Sequence, residues 1–327
     1  MTPFTRLDSY QGARAHWEAL LPCCIANTFF MTPQWQQAWW DQFGDGTEMM
    51  LLELMEHGGV TCIAPLARRD RTISFIGGQD LFDYNDFLVS PGSEDSFYTS
   101  LMDLLDDEDW DTVDLPSLQD GSPTLTYVPD LAQRLGYSVQ IEEEDVAPSV
   151  MLPADWDSYL QLLSKKDRHE LRRKLRRLGS SGQEVHHYKL SDPAEVEAGL
   201  DDFFSLMRFS KETKDTFLTP GRESFFRSAA LAMARIGVFR LFFLEFNQER
   251  VAAAMCFDYG DTRHLYNSGF NPEYRYYSVG LVLKALCVKD AIEEGKARFD
   301  FLRGAEPYKY DLGGKDRTIY HMVVRRS

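Results

Sequence analysis

The sequence predicts an α/β protein of two related halves, each a mixed sheet flanked by helices. Three observations predict it. The 327 residues are 44% hydrophobic and 13% aromatic, enough apolar material for cores in about two domains of ~150 residues each. The order strand, turn, returning strand, further strand, helix occurs twice. An acidic run, Glu142 to Asp145, followed by Pro148 and Pro153, marks a boundary that divides the chain into 1–148 and 149–327.

In the first half, 49–56 reads as a strand, 57–59 as a turn and 60–66 as the returning strand. A third apolar stretch at 73–77 leads to Asp83-Tyr84-Asn85-Asp86, and a helical pattern covers 96–105. In the second half the strand at 239–246, the turn at 247–250 and the strand at 251–259 repeat the plan. Another strand at 263–269, a long helix at 280–294 and a strand at 298–302 complete it. Gly295 stands where a helix C′ residue belongs. Trp35, Trp39 and Trp40 have helical spacing and read as core.

Charge narrows the function. There are 35 Lys and Arg against 51 Asp and Glu, a net −16, which argues against a protein that coats nucleic acid over a broad surface. The acidity is uneven. Between 165 and 177 there are eight basic and two acidic residues, in a helix with Ser164 as N-cap, Gly179 as stop and Leu171, Leu175 and Leu178 on one face. Such a cationic helix, 164–178, fits an anionic partner. A solvated amphipathic face is the plainer reading.

No apolar run approaches the ~20 residues needed to span a bilayer, and the N-terminus lacks the basic-then-apolar pattern of a signal peptide. Five cysteines with no CxxC spacing read as buried free thiols in a reducing compartment, so a cytoplasmic location is expected. No HxxxH or HExxH spacing occurs, and the consecutive His186 and His187 would face opposite ways on a strand; no metal site is expected.

The chemistry is carried by Arg275-Tyr-Tyr-Ser278-Val279-Gly280-Leu281, which follows a strand and opens a helix. A helix N-terminus offers free N–H groups and a positive dipole end to a pyrophosphate. The spacing resembles the Q/R-x-x-G-x-G/A loop of the GNAT superfamily of N-acetyltransferases, with Ser278 in place of the first glycine and Gly280 as the second. Around it, Tyr266-Asn-Ser-Gly269 and Phe299-Asp-Phe-Leu-Arg303-Gly-Ala-Glu306-Pro-Tyr308-Lys309-Tyr310 resemble the CelD-like acetyltransferase family of that superfamily. Phe30 to Trp35, Trp39-Trp40, Pro65-Leu66, Asp83-Tyr84 and Leu152-Pro153 with Trp156 also resemble it. Val279 and Ala305 depart from its usual Pro and Asp. The related Fem-type peptidyltransferases are built of paired GNAT-like halves.

The resemblance implies a GNAT-type N-acyltransferase with acetyl-CoA or another acyl-CoA as donor. Arg275, Ser278, Val279, Gly280 and Leu281 would hold the pyrophosphate. The backbone N–H groups of Tyr266, Asn267 and Ser268 would border the thioester as oxyanion donors. Tyr308 would be the acid for the leaving thiolate, and Glu306 either a base or the ion-pair partner of Arg303 or Lys309. A small-molecule or polysaccharide, cell-envelope acceptor would lie among Asp83, Tyr84, Asp86, the Arg303–Tyr308 loop and Lys309, although Asp83 to Asp86 also has the composition of a simple turn. The anionic partner of the cationic helix would be coenzyme phosphates, the acidic helix of an acyl carrier protein, or a transfer RNA backbone. Two rivals stand beside this reading: a Fem-type enzyme with aminoacyl-tRNA as donor, and a non-catalytic scaffold that binds a polyanion.

Overall fold

The computed structural model describes residues 4–56 and 58–326. The chain forms two units, one of residues 1–145 with 317–327, the other of 146–316. The boundary expected at 148 is thus corrected in one respect: the last strand returns to the first unit.

The first unit runs β1 (Thr5–Leu7), α1 (Tyr10–Leu20), α2 (Pro33–Phe43), β2 (Glu48–Glu56), β3 (Gly59–Arg69), β4 (Thr72–Phe75), β5 (Leu88–Val89), α3 (Glu94–Asp107), β6 (Thr112–Gln119), α4 (Thr124–Arg134) and β7 (Ser138–Val146). The second runs β8 (Ser149–Met151), α5 (Trp156–Leu162), α6 (Lys165–Gly179), β9 (Val185–Leu190), α7 (Pro193–Ser210), α8 (Glu212–Phe217), α9 (Pro220–Arg235), β10 (Phe239–Phe246), β11 (Glu249–Tyr259), β12 (Thr262–Phe270), α10 (Val279–Glu293), β13 (Arg298–Asp300) and α11 (Pro307–Asp311). The strand β14 (Thr318–Arg325) then inserts between β6 and β7, giving the order β1-β2-β3-β4-β6-β14-β7. The second sheet has the order β8-β13-β12-β11-β10-β9. The turn expected at 57–59 includes His57, which lies outside the described residues.

The duplication read from the sequence is present in the pairing. In each unit an antiparallel meander, β2-β3-β4 or β10-β11-β12, passes through a helix to a parallel strand, β6 or β13. A parallel neighbour needs such a crossover, and the helix covers one face of the sheet. In each unit the parallel pairing is short: Thr72, Ile73 and Ser74 against Thr112, Val113 and Asp114, and Thr262, Arg263 and His264 against Arg298, Phe299 and Asp300. Beyond those residues the two strands part.

The two gaps differ. In the first unit the chain fills its own gap. Asn85 donates from its backbone N–H to the Ser117 carbonyl on β6 at 2.9 Å and from Nδ2 to the Ile76 carbonyl at the end of β4 at 3.1 Å. Ser117 Oγ donates to the Phe82 carbonyl at 3.0 Å. Phe82 and Tyr84 pack on Phe30. In the second unit the backbone of β12 after Tyr266 is met by a lysine and by the Asn267 side chain, described below.

Local signals explain the helix bounds. Ser164 Oγ accepts from the Asp167 N–H at 3.1 Å and opens α6, and Leu171 and Leu178 are its buried residues. Thr32 caps α2, whose Trp35 is fully buried while Trp39 and Trp40 are partly so. Four of the five free thiols are buried as expected; Cys23 is exposed, at the end of a short turn of 3-10 helix.

Candidate functional site

The residues expected to hold a pyrophosphate lie at the start of α10. Residues 272–277 form a turn of 3-10 helix, opened by Asn271, whose side chain accepts from the Glu273 N–H at 3.0 Å. Ser278 then takes φ 55° and ψ 36°, a left-handed conformation natural to glycine and costly for other residues. This is where the resembling loop has its first glycine. Val279 is fully buried and anchors the helix; the Leu281 N–H donates to the Ser278 carbonyl at 3.0 Å, which leaves the N–H groups of Val279 and Gly280 without a partner inside the helix. A Cβ on Gly280 would stand 3.0 Å from the Phe270 ring, so the glycine lets α10 start close against β12. The side chain of Arg275 is exposed, and Leu281 is partly buried.

Charge separates this helix start from its counterpart. The first turn of α10 contains no acid, whereas that of α3 carries Glu94 and Asp95, and Glu94 already accepts from the Gly92 N–H at 2.7 Å. An anion is therefore favoured at α10 and repelled at α3. The basic helix α6 lies against the 272–277 turn and α10. Its Arg177 donates from Nη1 to the Tyr276 carbonyl at 2.8 Å and stacks over the Tyr276 ring at 4.7 Å. The cations singled out at 165–177 thus begin beside the expected phosphate loop.

The strand residues sit at a bulge. Pairing between β11 and β12 shifts at Met255/Cys256, which leaves Tyr266 as the extra residue and bends the strand. Its ring packs edge-on against Phe226 and Phe257. The Ser268 backbone turns away from β11: its N–H donates to Asn267 Oδ1 at 2.8 Å and its carbonyl accepts from Lys214 Nζ. Lys214 also donates to Asn267 Oδ1 at 2.9 Å. Burial, with Lys284 and Lys211 nearby, pulls its pKa down to about 7 against the opposing pull of Glu306. No motif announced this lysine.

The 303–310 segment folds as a loop, as expected, and the short α11, which carries Tyr308. Tyr308 packs against Phe301 and under Lys284, whose Nζ lies 4.5 Å from its ring centroid; burial pushes its hydroxyl pKa well up. That keeps the hydroxyl protonated and able to donate. Lys309 turns inward. It is 2% exposed and its Nζ donates to the carbonyls of Leu302, Arg303 and Gly304 at 2.8, 2.6 and 2.9 Å, and to Glu306 at 2.9 Å. Leu302 has φ 59° and Gly304 φ 105°, so this cation holds a loop that its backbone alone would not favour. Three carbonyls and a carboxylate leave Lys309 no donor for a ligand, which corrects the substrate-contact role expected of it. Burial acts to raise the Glu306 pKa, but Lys309 outweighs it and the group stays below the ordinary carboxylate range, which makes it a weak base. Arg303 is half-buried.

In the first unit Asp86 is buried, with Oδ2 accepting from Ser122 Oγ at 2.6 Å and Oδ1 from Thr124 Oγ1 at 2.5 Å and the Phe87 N–H at 2.8 Å. Burial raises its pKa to about 6, with those bonds opposing. Its oxygens hold the start of α4, and Tyr84, Asn85 and Asp86 line a small cavity with Thr28 and Ser122. Tyr84 is a buried packing residue, and Asp83 is partly exposed beside it.

Residues 165–310 match the family model described as an acetyltransferase (GNAT) domain. Among solved structures, FemX is similar over 97% of this chain and 96% of its own, with 12% identity and a TM-score of 0.67. The C-terminal domain of a putative lysylphosphatidylglycerol synthetase from Agrobacterium fabrum is similar over 98% and 93%, with 10% identity and a TM-score of 0.63. A tandem GNAT protein from the clavulanic acid biosynthesis pathway is similar over 98% and 97%, with 14% identity and a TM-score of 0.50. No curated protein sequence matches the chain. The structural likenesses carry the fold, two GNAT-like halves. The domain match carries the enzyme class, a GNAT-type N-acyltransferase.

Proposed function

We propose that the second unit transfers an acyl group, acetyl in the simplest case, from a coenzyme A thioester to an amine, in the manner of the CelD-like acetyltransferases that the sequence resembles. The observation that carries this reading is the start of α10: a left-handed residue, a close glycine and an acid-free first turn, flanked by Arg177. These features suit a pyrophosphate held by backbone N–H groups of Val279 and Gly280, with Arg275 and the α6 cations supplying countercharge. The pantetheine arm would then run along the exposed backbone of β12 past Ser268. Tyr308, kept protonated by burial, would donate to the leaving sulfur. The acceptor is read as a small molecule or a cell-envelope saccharide bearing an amine, and a cytoplasmic location accords with a CoA donor and free thiols. Among the described residues no helix is long and apolar enough to cross a membrane.

A second reading has its own observation. The cationic row of α6 beside the donor loop is longer than one pyrophosphate needs, and it suits the backbone of a charged transfer RNA or the acidic face of an acyl carrier protein. The discriminating experiment follows release of free thiol from acetyl-CoA across a panel of primary amines, with stabilisation by acetyl-CoA, acyl carrier protein and aminoacyl-tRNA measured in parallel. Thermal stabilisation by acetyl-CoA with amine-dependent thiol release supports the first reading. Stabilisation by aminoacyl-tRNA alone replaces it with the second, and neither response leaves only the polyanion-binding scaffold.

A further inference from the structure

The short helix α8 contributes one side chain to the parted edge of β12. Lys214 Nζ donates to Asn267 Oδ1 at 2.9 Å and to the Ser268 carbonyl, just past the Tyr266 bulge and beyond the last residue, His264, that pairs with β13. Gly269 makes this approach feasible: α7 crosses β12 so closely there that a Cβ would lie 2.3 Å from the Met207 N, and α8 follows directly from α7. The charged groups facing Lys214 are Lys284 from α10, Lys211 from the turn before α8 and Glu306 from the loop before α11. Two cations against one carboxylate, at a partly buried position, favour the neutral amine. A neutral lysine has two N–H donors and one lone pair. Both donors are engaged by Asn267 and Ser268, so the lone pair is the part left to meet a third group.

We propose that Lys214 is the proton acceptor for the attacking amine, an inference that rests on the acyl-transfer reading above. The acceptor ammonium gives one proton to Lys214 Nζ and becomes a nucleophilic amine. Its nitrogen forms a bond to the thioester carbonyl carbon as the carbon–sulfur bond breaks, and the electron pair of that bond leaves with the sulfur. A second proton from the nitrogen ends on the sulfur, giving an amide and a free thiol. Lys214 then returns its proton to solvent. A base near neutrality is matched to this task, and Glu306, held low by Lys309, is not. Attack by Lys214 itself would form an amide as stable as the product and end turnover, so the base role is the productive one.

Competitive labelling of the full chain with acetic anhydride, read lysine by lysine by mass spectrometry from pH 5 to 11, measures the neutral fraction of Lys214 directly. The expected midpoint is near pH 7, about three pH units below that of an ordinary lysine, and saturating coenzyme A should cut Lys214 labelling at least tenfold. A midpoint above pH 9, or labelling unchanged by bound coenzyme A, overturns the proposal. So does a stable acetyl group on Lys214 after incubation with acetyl-CoA. In the amine panel, Lys214→Arg keeps donors for Asn267 and Ser268 but stays protonated and cannot accept a proton. Its rate at pH 7 should fall about a hundredfold, with the deficit closing by pH 9.5; an equal rate at pH 7 overturns the role. A chain that binds no coenzyme A and acetylates no amine overturns the acyl-transfer reading itself. The two failures are distinct, because the Lys214 midpoint is read without any ligand.

Discussion

Lys284 gives the sharpest test of how charge is arranged in the second unit. It lies on α10, 8% exposed, with Nζ 4.5 Å from the Tyr308 ring centroid and one long bond of 3.3 Å to the Gly280 carbonyl. Burial dominates its titration and lowers its pKa from 10.5 to about 8, with Lys211 in the same direction and Cys287, Glu306 and Cys256 opposing. The unfolded chain therefore binds this proton up to about pH 10.5, and the folded chain only up to about pH 8. Between those values the unfolded state holds more protons, so stability rises with pH. At about 1.4 kcal/mol per pH unit, a gap of 2.5 between 10.5 and 8 costs the fold about 3 kcal/mol at pH 7. Lys284→Met removes that cost and forfeits a cation–π contact of about 1 kcal/mol, so it should stabilise the second unit by about 2 kcal/mol at pH 7. The advantage should be nearly gone by pH 10.5, where the lysine is neutral in the folded state and half protonated in the unfolded one. Hydrogen exchange of the α10 and β11 amides across pH 6.5–10.5, corrected for intrinsic rates, reports that unit alone. Parallel profiles for wild type and variant, with no narrowing toward high pH, would refute the reasoning.

Two further substitutions probe the backbone. Gly269→Ala would place a methyl group 2.3 Å from the Met207 N and 2.4 Å from the Leu206 carbonyl carbon; neither can swing aside, so about 3 kcal/mol should be lost, read as a lower urea midpoint, and an unchanged midpoint would refute the close crossing. Ser278→Gly relieves the left-handed strain at φ 55° and should raise stability by about 0.5 to 1 kcal/mol with acetyl-CoA affinity retained; destabilisation would contradict the backbone described for the α10 entry.

The parts of this fold legible in the sequence are those fixed by neighbours. The hairpin at 239–259, the strand after it and the helix opening at Val279 all follow from short-range patterns, and Ser164 capped α6 as its chemistry required. What was not legible depends on partners far along the chain. Nothing within 318–325 says that it will pair with 112–119, some two hundred residues earlier, so the boundary at 148 was drawn without it. Asp83 to Asp86 read as an open acidic loop, yet Asp86 is claimed by Ser122 and Thr124, hydroxyls more than thirty residues on. Lys309 read as a substrate contact or the ion-pair partner of Glu306; the pair is present, and three carbonyls of its own loop accept the remaining hydrogen bonds. Lys214 had no signal in ETKDTF; the small residue Gly269 within a strand was the one hint that another segment would come close.

The central claim is that the second unit alone holds the donor, because α10 opens without acids while α3 opens on Glu94 and Asp95. Isothermal titration of the full chain with acetyl-CoA tests it most directly. The account predicts one site per chain, weakened about tenfold by Ser278→Asp, which sets a carboxylate against the pyrophosphate. Two sites, no site, or one site indifferent to Ser278→Asp would contradict it.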